Sequence, residues 1–311
     1  MAKILITESV HPIGPELLTA AGHTVVYADR DMDVIRREIV DADAVLVRII
    51  ELPGSLLATA KNLKIVSKHG VGYDNIDLDY CKSHGIAVTI TPNANSLAVA
   101  EHAFTLMLTL AKNIIPVSNE YRTVGFAAKN HAPGIEMTGK TLGLIGMGRI
   151  GKHILHMCRD GLDMHVIVYD PYISEVPEGV EKVDDLSELL RRADVVTLHC
   201  LLTDETRKLI DRERLALMKP TALLINCARG PIVDEAALIE ALENGRLAGA
   251  GLDVTDPEPV APDSPLFKLP NVIVTPHYAP TTVESATRVS KIAAENFNAV
   301  LAGQEPVGRI V

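Results

Sequence analysis

The middle of the 311-residue chain reads TLGLIGMGRIG over residues 141–151. The aliphatic run that precedes Gly146 predicts a buried strand, and the pattern from Lys152 onward predicts a helix directly after the glycines. An acid, Asp170, ends the next predicted strand, 19 residues beyond Gly151. A GxGxxG loop between a strand and a helix, with an acid at this distance, is the fingerprint of a dinucleotide-binding βαβ unit.

The loop predicts a cofactor as well as a turn. Gly146, Gly148 and Gly151 would let the backbone approach a pyrophosphate at the helix N-terminus. Asp170 would accept hydrogen bonds from the adenosine ribose, and its charge would repel a 2′-phosphate. Residues 171–173, Pro-Tyr-Ile, contain no arginine that could compensate. We therefore expect NAD rather than NADP, although a tight turn without a ligand would also explain the glycines.

Outward from this loop, short aliphatic runs alternate with helical patterns, as in doubly wound α/β proteins. Eleven strands are many for one such sheet, so we predict two parallel sheets in two domains. The predicted strands are Lys3–Thr7, His23–Ala28, Ala44–Ile49, Lys64–His69, Ala87–Thr91, Thr141–Gly146, His165–Asp170, Val195–Cys200, Ala222–Cys227, Leu247–Val254 and Asn271–Pro276. We expect residues 1–97 with 281–311 to form one domain and residues 98–280, inserted into it, to bind the nucleotide.

Three helical stretches carry specific expectations. Val99–Ile115 is apolar on nearly every face, so it is a buried linking helix, a subunit interface, or both. Asp234–Asn244 is a helix that ends at Gly245. Thr282–Leu301 is a final helix that could return to the first domain. A capping box from Thr281 to Glu284 would open this last helix.

Composition excludes several other classes of protein. Forty acidic and thirty basic side chains give a net charge of −10, and aromatic residues are only 4% with no Trp. Neither a basic stripe nor a stacking platform for nucleic acid is therefore expected. The four cysteines show no CxxC spacing, which argues against a metal site or a disulfide framework. No segment predicts a membrane span or a signal peptide, so we expect a cytoplasmic protein.

Three ionisable residues follow predicted strands at the edge where α/β sheets bind ligands: Arg229, Glu258 and His277. An enzyme that reduces a ketone by hydride transfer needs a cation for the substrate carboxylate, a proton donor, and a group that orients the donor. These three residues supply that set. Each residue has an alternative interpretation: Arg229 could form a surface ion pair, Glu258 could be a solvated loop acid, and His277 could be a core histidine.

The whole chain resembles the D-isomer-specific 2-hydroxyacid dehydrogenases, in the branch of phosphoglycerate dehydrogenases and hydroxypyruvate/glyoxylate reductases. Several motifs in the same order carry this resemblance besides the glycine loop. They are SKHGVGYDNID over residues 67–77, NANSLAVAE over 93–101, NCARG over 226–230, DVTDPEP over 253–259 and TPH over 275–277. The resemblance implies a Rossmann NAD-binding domain inserted into a flavodoxin-like substrate domain, with the substrate in the cleft between them.

The resemblance also implies residue roles. Arg229 would hold the 2-keto carboxylate, His277 would be the acid–base, and Glu258 would hydrogen-bond the imidazole and favour its protonated form. The implied cofactor contacts are Arg149 and Ile150 at the pyrophosphate, Asp253 with Cys227 and Ala228 at the nicotinamide, and Cys200 and Thr206. The implied substrate contacts are Val71, Gly72 and Asn95, with Arg48 at the outer rim. A homodimer built through the nucleotide domains is the implied assembly.

Some residues depart from the family pattern. Tyr278-Ala279-Pro280 follows His277 in place of small residues or glycines, and Pro280 lacks a backbone donor. Ile49 follows Arg48 where the phosphoglycerate branch has a hydroxyl residue, and Glu51 stands nearby. We therefore leave three substrates open, with a slight preference for the first: 3-phosphohydroxypyruvate, hydroxypyruvate and glyoxylate.

Two rival functions share this architecture, and a purely structural oligomer, which would bind no NADH, is a third alternative. A formate dehydrogenase would pair its histidine with Gln, whereas this chain has Glu258. A non-catalytic NAD-sensing corepressor of the same fold would bind the cofactor without turning over a substrate. The complete set of Arg229, Glu258 and His277 favours an enzyme over the corepressor.

Overall fold

The computed structural model describes residues 1–130 and 133–311. The chain divides into two compact units, unit 1 comprising Met1–Asn95 with Pro280–Val311 and unit 2 comprising Ser96–Ala279. The sequence-based boundaries, at 97/98 and 280/281, differ from these divisions by one or two residues. No helix in the described residues has both the length and the apolarity needed to cross a bilayer.

Each unit contains one sheet whose strands are all parallel. Unit 1 holds β1 (Lys3–Ile6), β2 (Thr24–Tyr27), β3 (Ala44–Val47), β4 (Ile65–Lys68) and β5 (Ala87–Thr89). Unit 2 holds β6 (Thr141–Ile145), β7 (His165–Tyr169), β8 (Val180–Lys182), β9 (Val195–Leu198), β10 (Leu223–Asn226), β11 (Gly249–Leu252) and β12 (Val272–Val274).

Helices connect most of these strands. They are α1 (Ile13–Ala20), α2 (Met32–Glu38), α3 (Gly54–Leu57), α4 (Leu78–Ser83), α5 (Ser96–Ala111), α6 (Ile114–Val124), α7 (Arg149–Leu162), α8 (Leu186–Arg192), α9 (Arg212–Leu215), α10 (Glu235–Glu243) and α11 (Val283–Leu301). Short 3₁₀ turns cover Ile39–Asp41, Gly125–Asn130, Gly230–Ile232 and Pro265–Lys268.

Unit 1 has the strand order β2-β1-β3-β4-β5, which is that of flavodoxin-like folds. Its strands read as continuous aliphatic runs because helices cover both faces of a parallel sheet. The final helix α11 belongs to this unit, as expected, and packs against α1. A side chain at Gly14 would collide with Ser290, so glycine is what allows α1 and α11 to approach this closely.

Unit 2 has the strand order β12-β11-β10-β9-β6-β7-β8. This is the Rossmann order with one more parallel strand at the edge, so the predicted fold class is confirmed for both units. The order reverses between β6 and β9, and the carboxyl ends of these strands are where such sheets bind ligands. The glycine loop follows β6 and therefore lies at this switch point.

The predicted helix Val99–Ile115 is two helices. The first, α5, ends at Ala111, and Asn113 has a left-handed backbone with φ of 51° before α6 begins. Helix α5 packs on β10 and β11 within unit 2, where Leu106 lies against Gly251, so burial alone accounts for its apolar faces. The exposed apolar side chains belong instead to the next helix, α6, which has no buried residue.

Two smaller predictions are wrong. Thr282, not Thr281, caps α11, because its hydroxyl accepts a hydrogen bond from Ser285 N at 3.1 Å. The edge strand β8 is absent from the predicted set, since its three residues, Val-Glu-Lys, carry no aliphatic run. The predicted helix at Asp234–Asn244 is confirmed as α10, with Asp234 as its N-cap and Gly245 at φ of 63° just beyond its end.

Candidate active site

The glycine loop has the geometry of a nucleotide cradle. A Cβ at Gly151 would collide with Gly146 O, so helix α7 can approach the loop only with glycine there. Gly146 has φ of 89°, and a Cβ at this position would lie 2.8 Å from Cys200 N. Gly148 is different, because a Cβ there would meet nothing within 4 Å. The open side of the loop thus lies at Gly148, beside the N-terminus of a 14-residue helix, and fits a pyrophosphate.

Asp170 lies beside this cradle and is already held in place. Its Oδ2 accepts the Met147 amide at 2.9 Å, and its Oδ1 accepts the Tyr172 amide at 3.0 Å. A carboxylate oxygen can accept more than one hydrogen bond, so ribose hydroxyls can still bind here. Tyr172 in turn donates its hydroxyl to Glu205 at 3.1 Å, which adds a second acid to this rim.

His277 and Glu258 form a hydrogen-bonded pair. His277 Nδ1 lies 2.7 Å from Glu258 Oε1, and the two side chains are 29% and 36% exposed. A carboxylate only accepts hydrogen bonds, so Nδ1 carries the proton and Nε2 is left for a substrate. The structure therefore brings together the two residues that the sequence proposed as acid–base and orienting group.

The backbone of His277 is in the left-handed region, with φ of 52°. This conformation costs a residue with a side chain roughly 1–2 kcal/mol, so the surrounding chain must hold it. The amide of His277 donates to Asp253 O at 2.8 Å and to Thr275 O at 3.0 Å. Positive φ at a histidine that also contacts a carboxylate is typical of a functional residue.

Asp253 lies beneath this segment and is only 1% exposed. Its Oδ1 accepts the Tyr278 amide at 2.7 Å and the Thr275 hydroxyl at 2.5 Å, and its Oδ2 accepts the Ala279 amide at 2.9 Å. The family resemblance assigns this carboxylate to the nicotinamide amide. In the structure the Asp253 carboxylate orders the residues on both sides of His277. Neither composition nor motif spacing predicts this role.

Arg229 stands on the loop after β10, next to the loop that carries Glu258. Its guanidinium donates to Ala228 O at 2.8 Å, and Asn226 donates its side-chain amide to Arg229 O at 2.9 Å. A side chain at Gly230 would collide with Thr255 O, so the loops after β10 and β11 are in backbone contact. Arg229, Glu258 and His277 thus follow β10, β11 and β12, three neighbouring strands of one sheet.

The remaining predicted cofactor positions lie around the same edge of unit 2. Arg149 is the first residue of α7 and is exposed, and Ile150 is partly buried. Thr206 donates its hydroxyl to Leu201 O at 2.6 Å and accepts the Thr203 amide at 2.7 Å. Burial raises the pKa of Cys200 to about 11 and that of Cys227 well above its ordinary value, which disfavours the nucleophilic thiolate form of both.

The predicted substrate positions of unit 1 are near the carboxyl ends of β3, β4 and β5. Arg48 follows β3, donates from its guanidinium to Ser9 O at 2.9 Å and is partly buried. Lys68 ends β4, is buried, and donates to Arg48 O and, at 2.5 Å, to Asn75 Oδ1. Val71 and Gly72 follow on the next loop and are partly buried. Lys68 therefore stabilises the loop that carries Arg48.

Three buried polar atoms of unit 1 have no hydrogen-bond partner among the described residues: His69 Nε2 and Asn95 Oδ1, which follow β4 and β5, and Ser285 Oγ in α11. Burial, with Arg48 as a further cause, lowers the pKa of His69 to about 3, so its imidazole is neutral near pH 7. Buried polar groups without protein partners are uncommon and indicate a place where a ligand or water supplies the bond. Asn95 is a predicted substrate contact, whereas His69 lies within the motif of residues 67–77 but has no predicted role.

Comparison with known proteins identifies the same architecture. Residues 104–279 match the family model for the NAD-binding domain of D-isomer-specific 2-hydroxyacid dehydrogenases. The chain is 42% identical over 308 residues to D-3-phosphoglycerate dehydrogenase of Methanocaldococcus jannaschii, which covers 98% of this chain but only 58% of that protein. It is 38% identical over 319 residues to glyoxylate reductase of Thermofilum pendens, covering 98% and 93% of the two chains.

A solved structure is similar over nearly the whole chain. D-lactate dehydrogenase of Aquifex aeolicus, crystallised with NAD and lactic acid, is 33% identical, with a TM-score of 0.87 over 96% of each chain. Together with the family model for an NAD-binding domain, this similarity supports a nicotinamide cofactor. The open side of the loop at Gly148, the carboxylate of Asp170 beside it and the N-terminus of α7 are the features of this chain that fit such a cofactor.

Proposed function

Because this chain belongs to the D-isomer-specific 2-hydroxyacid dehydrogenase family, we propose that it is an NAD-dependent oxidoreductase acting on the CH–OH group of a small D-2-hydroxy acid. The observation that carries the proposal is the 2.7 Å contact between His277 Nδ1 and Glu258 Oε1. It leaves one imidazole nitrogen for the substrate and orients it, as acid–base catalysis requires. The D configuration is a property of the family.

In the direction of reduction, bound NADH supplies the hydride that reaches C2 of the 2-keto acid. Arg229 binds the substrate carboxylate, with which a guanidinium makes two parallel charge-assisted hydrogen bonds. For this step the imidazole of His277 must carry a proton on both nitrogens: it donates the Nε2 proton to the carbonyl oxygen as negative charge develops there, and it keeps the Nδ1 proton in the hydrogen bond to Glu258. In oxidation the same nitrogen accepts the hydroxyl proton.

The cofactor is assigned to unit 2. The pyrophosphate would lie over Gly148 and the amides of Arg149 and Ile150, where the dipole of α7 favours an anion. Asp170 would bind the adenosine ribose. The acidic rim formed by Asp170 and Glu205 disfavours a 2′-phosphate, so NAD is the proposed cofactor rather than NADP.

For the substrate, the geometry of unit 1 favours hydroxypyruvate over its phosphorylated form. Nε2 of the neutral His69 ring and the acceptor atom Asn95 Oδ1 are buried without protein partners among the described residues. A hydroxyl group can donate to the amide oxygen, whereas a fully ionised phosphate only accepts. Lys68 already donates to Arg48 O and Asn75, so its ammonium is engaged within the protein.

The second candidate is 3-phosphoglycerate oxidation, or the reverse reduction of 3-phosphohydroxypyruvate. Two observations support it: the 42% identity to a D-3-phosphoglycerate dehydrogenase, and the guanidinium of Arg48 at the end of β3. Glyoxylate, which lacks the hydroxyl group, is the third. All three use the same arrangement of Arg229, Glu258 and His277.

A homodimer is the proposed assembly. Helix α6 exposes Ile114, Ile115, Tyr121 and Val124, and Phe126 follows it with 72% of its surface exposed. A concentration of exposed apolar side chains of this kind is typical of a protein interface. The proposal places a second copy on α6, not on α5 as the apolar pattern of the sequence first indicates.

The decisive experiment is NADH oxidation by the purified protein with hydroxypyruvate, 3-phosphohydroxypyruvate, glyoxylate and pyruvate. We expect turnover with at least one of these acids, the highest kcat/KM with hydroxypyruvate, and a strong preference for NADH over NADPH. NADH binding without turnover of any 2-keto acid would instead support an NAD-sensing role. A higher kcat/KM for the phosphorylated acid would select the second candidate.

A further inference from the structure

We propose that His102 is a positioning residue for His277 and acts through Thr275 and Asp253. This inference rests on the proposed role of His277 as the acid–base. His102 lies in α5, 175 positions before His277 in the chain, and no pattern in the sequence marks it as part of the site. Its side chain contacts Thr275, Asp253 and Tyr278, so we infer that its effect on His277 passes through those residues.

The contacts define a directed chain of hydrogen bonds. His102 Nε2 lies 3.0 Å from Thr275 Oγ1, and Thr275 Oγ1 lies 2.5 Å from Asp253 Oδ1. An ionised carboxylate can only accept, so the single hydroxyl proton of Thr275 is directed to Asp253. The oxygen of Thr275 must then accept a proton from His102, which fixes the tautomer with hydrogen on Nε2.

The far end of this chain is the backbone around His277. Asp253 Oδ1 also accepts the Tyr278 amide at 2.7 Å, and Oδ2 accepts the Ala279 amide at 2.9 Å. The amide of His277 itself donates to Asp253 O. Thr275, Tyr278 and Ala279, which flank Pro276-His277, therefore all hydrogen-bond to the side chain of Asp253. That arrangement is what holds His277 in its left-handed conformation, with Nδ1 on Glu258.

Charge explains why a histidine stands at position 102. The carboxylate of Asp253 is 1% exposed, and the imidazole of His102 faces it, with Nε2 at 3.5 Å from Oδ1. Buried carboxylates need hydrogen-bond donors, and a polarised imidazole N–H suits this better than an aliphatic side chain. The ring of Tyr278 meets the His102 ring edge-on, with centroids 6.2 Å apart, and the His102 side chain is only 16% exposed.

The test compares His102→Leu, His102→Gln and Thr275→Val with the wild-type protein. In His102→Leu we expect kcat to fall about 10-fold, the usual effect of losing one ordered hydrogen bond, with KM and the Kd for NADH changed less than about 3-fold. The amide nitrogen of Gln can occupy the place of Nε2, so His102→Gln should recover most of kcat. His156→Leu on the exposed surface of α7 is the matched control.

Two further measurements separate positioning from general damage. The double variant His102→Leu/Thr275→Val should be no slower than the slower single variant, because both substitutions break the same chain. Hydrogen exchange of the amides of Tyr278 and Ala279 should be faster in His102→Leu, while that of the strands of unit 2 stays unchanged. Exchange does not depend on turnover, so this readout holds even if the proposed enzymatic function fails.

The proposal is overturned if His102→Leu keeps both the wild-type kcat and the slow exchange at residues 278 and 279. It is also overturned if His102→Gln is as slow as His102→Leu, because the donated proton would then be irrelevant. If His102→Leu does not fold, Thr275→Val and His102→Gln decide the question by the same two measurements.

Discussion

Glu8 accepts the backbone amide of Arg48, with Oε2 and N 2.7 Å apart. The same carboxylate takes the Ile49 amide at 2.9 Å. Glu8 follows β1 and is 1% exposed, so a buried charge organises the loop after β3. Successive backbone amides that converge in this way form an anion site. In this chain the site is filled by the protein's own carboxylate, and a substrate phosphate would have to rely on the guanidinium of Arg48.

This relationship makes Arg48 a test of substrate class. If the substrate is hydroxypyruvate, Arg48→Ala should change its kcat/KM by less than about 3-fold, since no charge-assisted bond to it is lost. If the protein acts on 3-phosphohydroxypyruvate, the same variant should lose about 10- to 150-fold in kcat/KM for that acid alone. Arg36→Ala, an exposed arginine of α2, is the control. An equal loss with both acids would make Arg48 structural.

His277→Ala should lower kcat by roughly 10²- to 10⁴-fold, the usual contribution of a positioned acid–base group. The Kd for NADH should hardly change, because the cofactor is assigned to the glycine loop. Steady-state kinetics and a fluorescence titration with NADH measure the two quantities. His165→Ala, at the exposed start of β7, serves as control. A variant that keeps kcat within a few-fold would remove His277 from the mechanism.

Asp170→Ala should reduce the preference for NAD over NADP, because both the ribose hydrogen bonds and the repulsion of a 2′-phosphate disappear. We expect the ratio of the two kcat/KM values to fall by at least about 10-fold. Asp184→Ala, an exposed acid of the same unit, should leave the ratio unchanged. A wild-type protein that already prefers NADP would contradict the assignment of Asp170 directly.

The α6 surface predicts the oligomeric state. Light scattering of the wild-type protein should give about twice the 33.5 kDa mass of one chain at micromolar concentration. Ile115→Glu should shift the equilibrium toward the monomer, because a charge in a buried apolar interface is costly. Val283→Glu, an exposed site on α11, is the control. A wild-type monomer would count against α6 as an interface.

Acid should destabilise the protein through its buried histidines. Burial lowers the pKa of His199 to about 3, as it does for His69, whereas an unfolded chain takes up protons near pH 6.5. Between those values the unfolded state binds more protons, so the free energy of unfolding decreases as pH falls below about 6.5. Urea unfolding at pH 7.5, 6.0 and 5.0 measures this. His199→Gln should flatten the dependence, whereas replacing the exposed His156 should not.

The fold can be predicted because its signals are local. All eleven predicted strands exist, since aliphatic runs bounded by turns describe buried parallel strands well. The predicted ends are one to three residues too wide in most cases, because the apolar pattern continues past the last ladder bond. The break between α5 and α6 escapes prediction, since an Asn in the left-handed region leaves no mark in hydropathy.

Motifs are enough to propose Arg229, Glu258 and His277 as catalytic residues, but they do not reveal the residues that hold them in place. Arg229, Glu258 and His277 follow three strands that are adjacent in one sheet, and sequence order already suggests that. His102 and Thr275 are far apart in the chain and meet only through packing of α5 on the sheet. Glu8 is a lone acid after a short strand, and only the structure reveals that it binds the loop of Arg48.

Backbone contact at Gly230 has a consequence for how such a protein can change over time. The loops bearing Arg229 and Glu258 touch without an intervening side chain, so neither can shift without moving the other. We therefore expect substitutions there to disturb the proposed carboxylate binding and the proposed proton transfer together. A change in one of these loops would therefore have to be matched by a change in the other for the proposed chemistry to be kept.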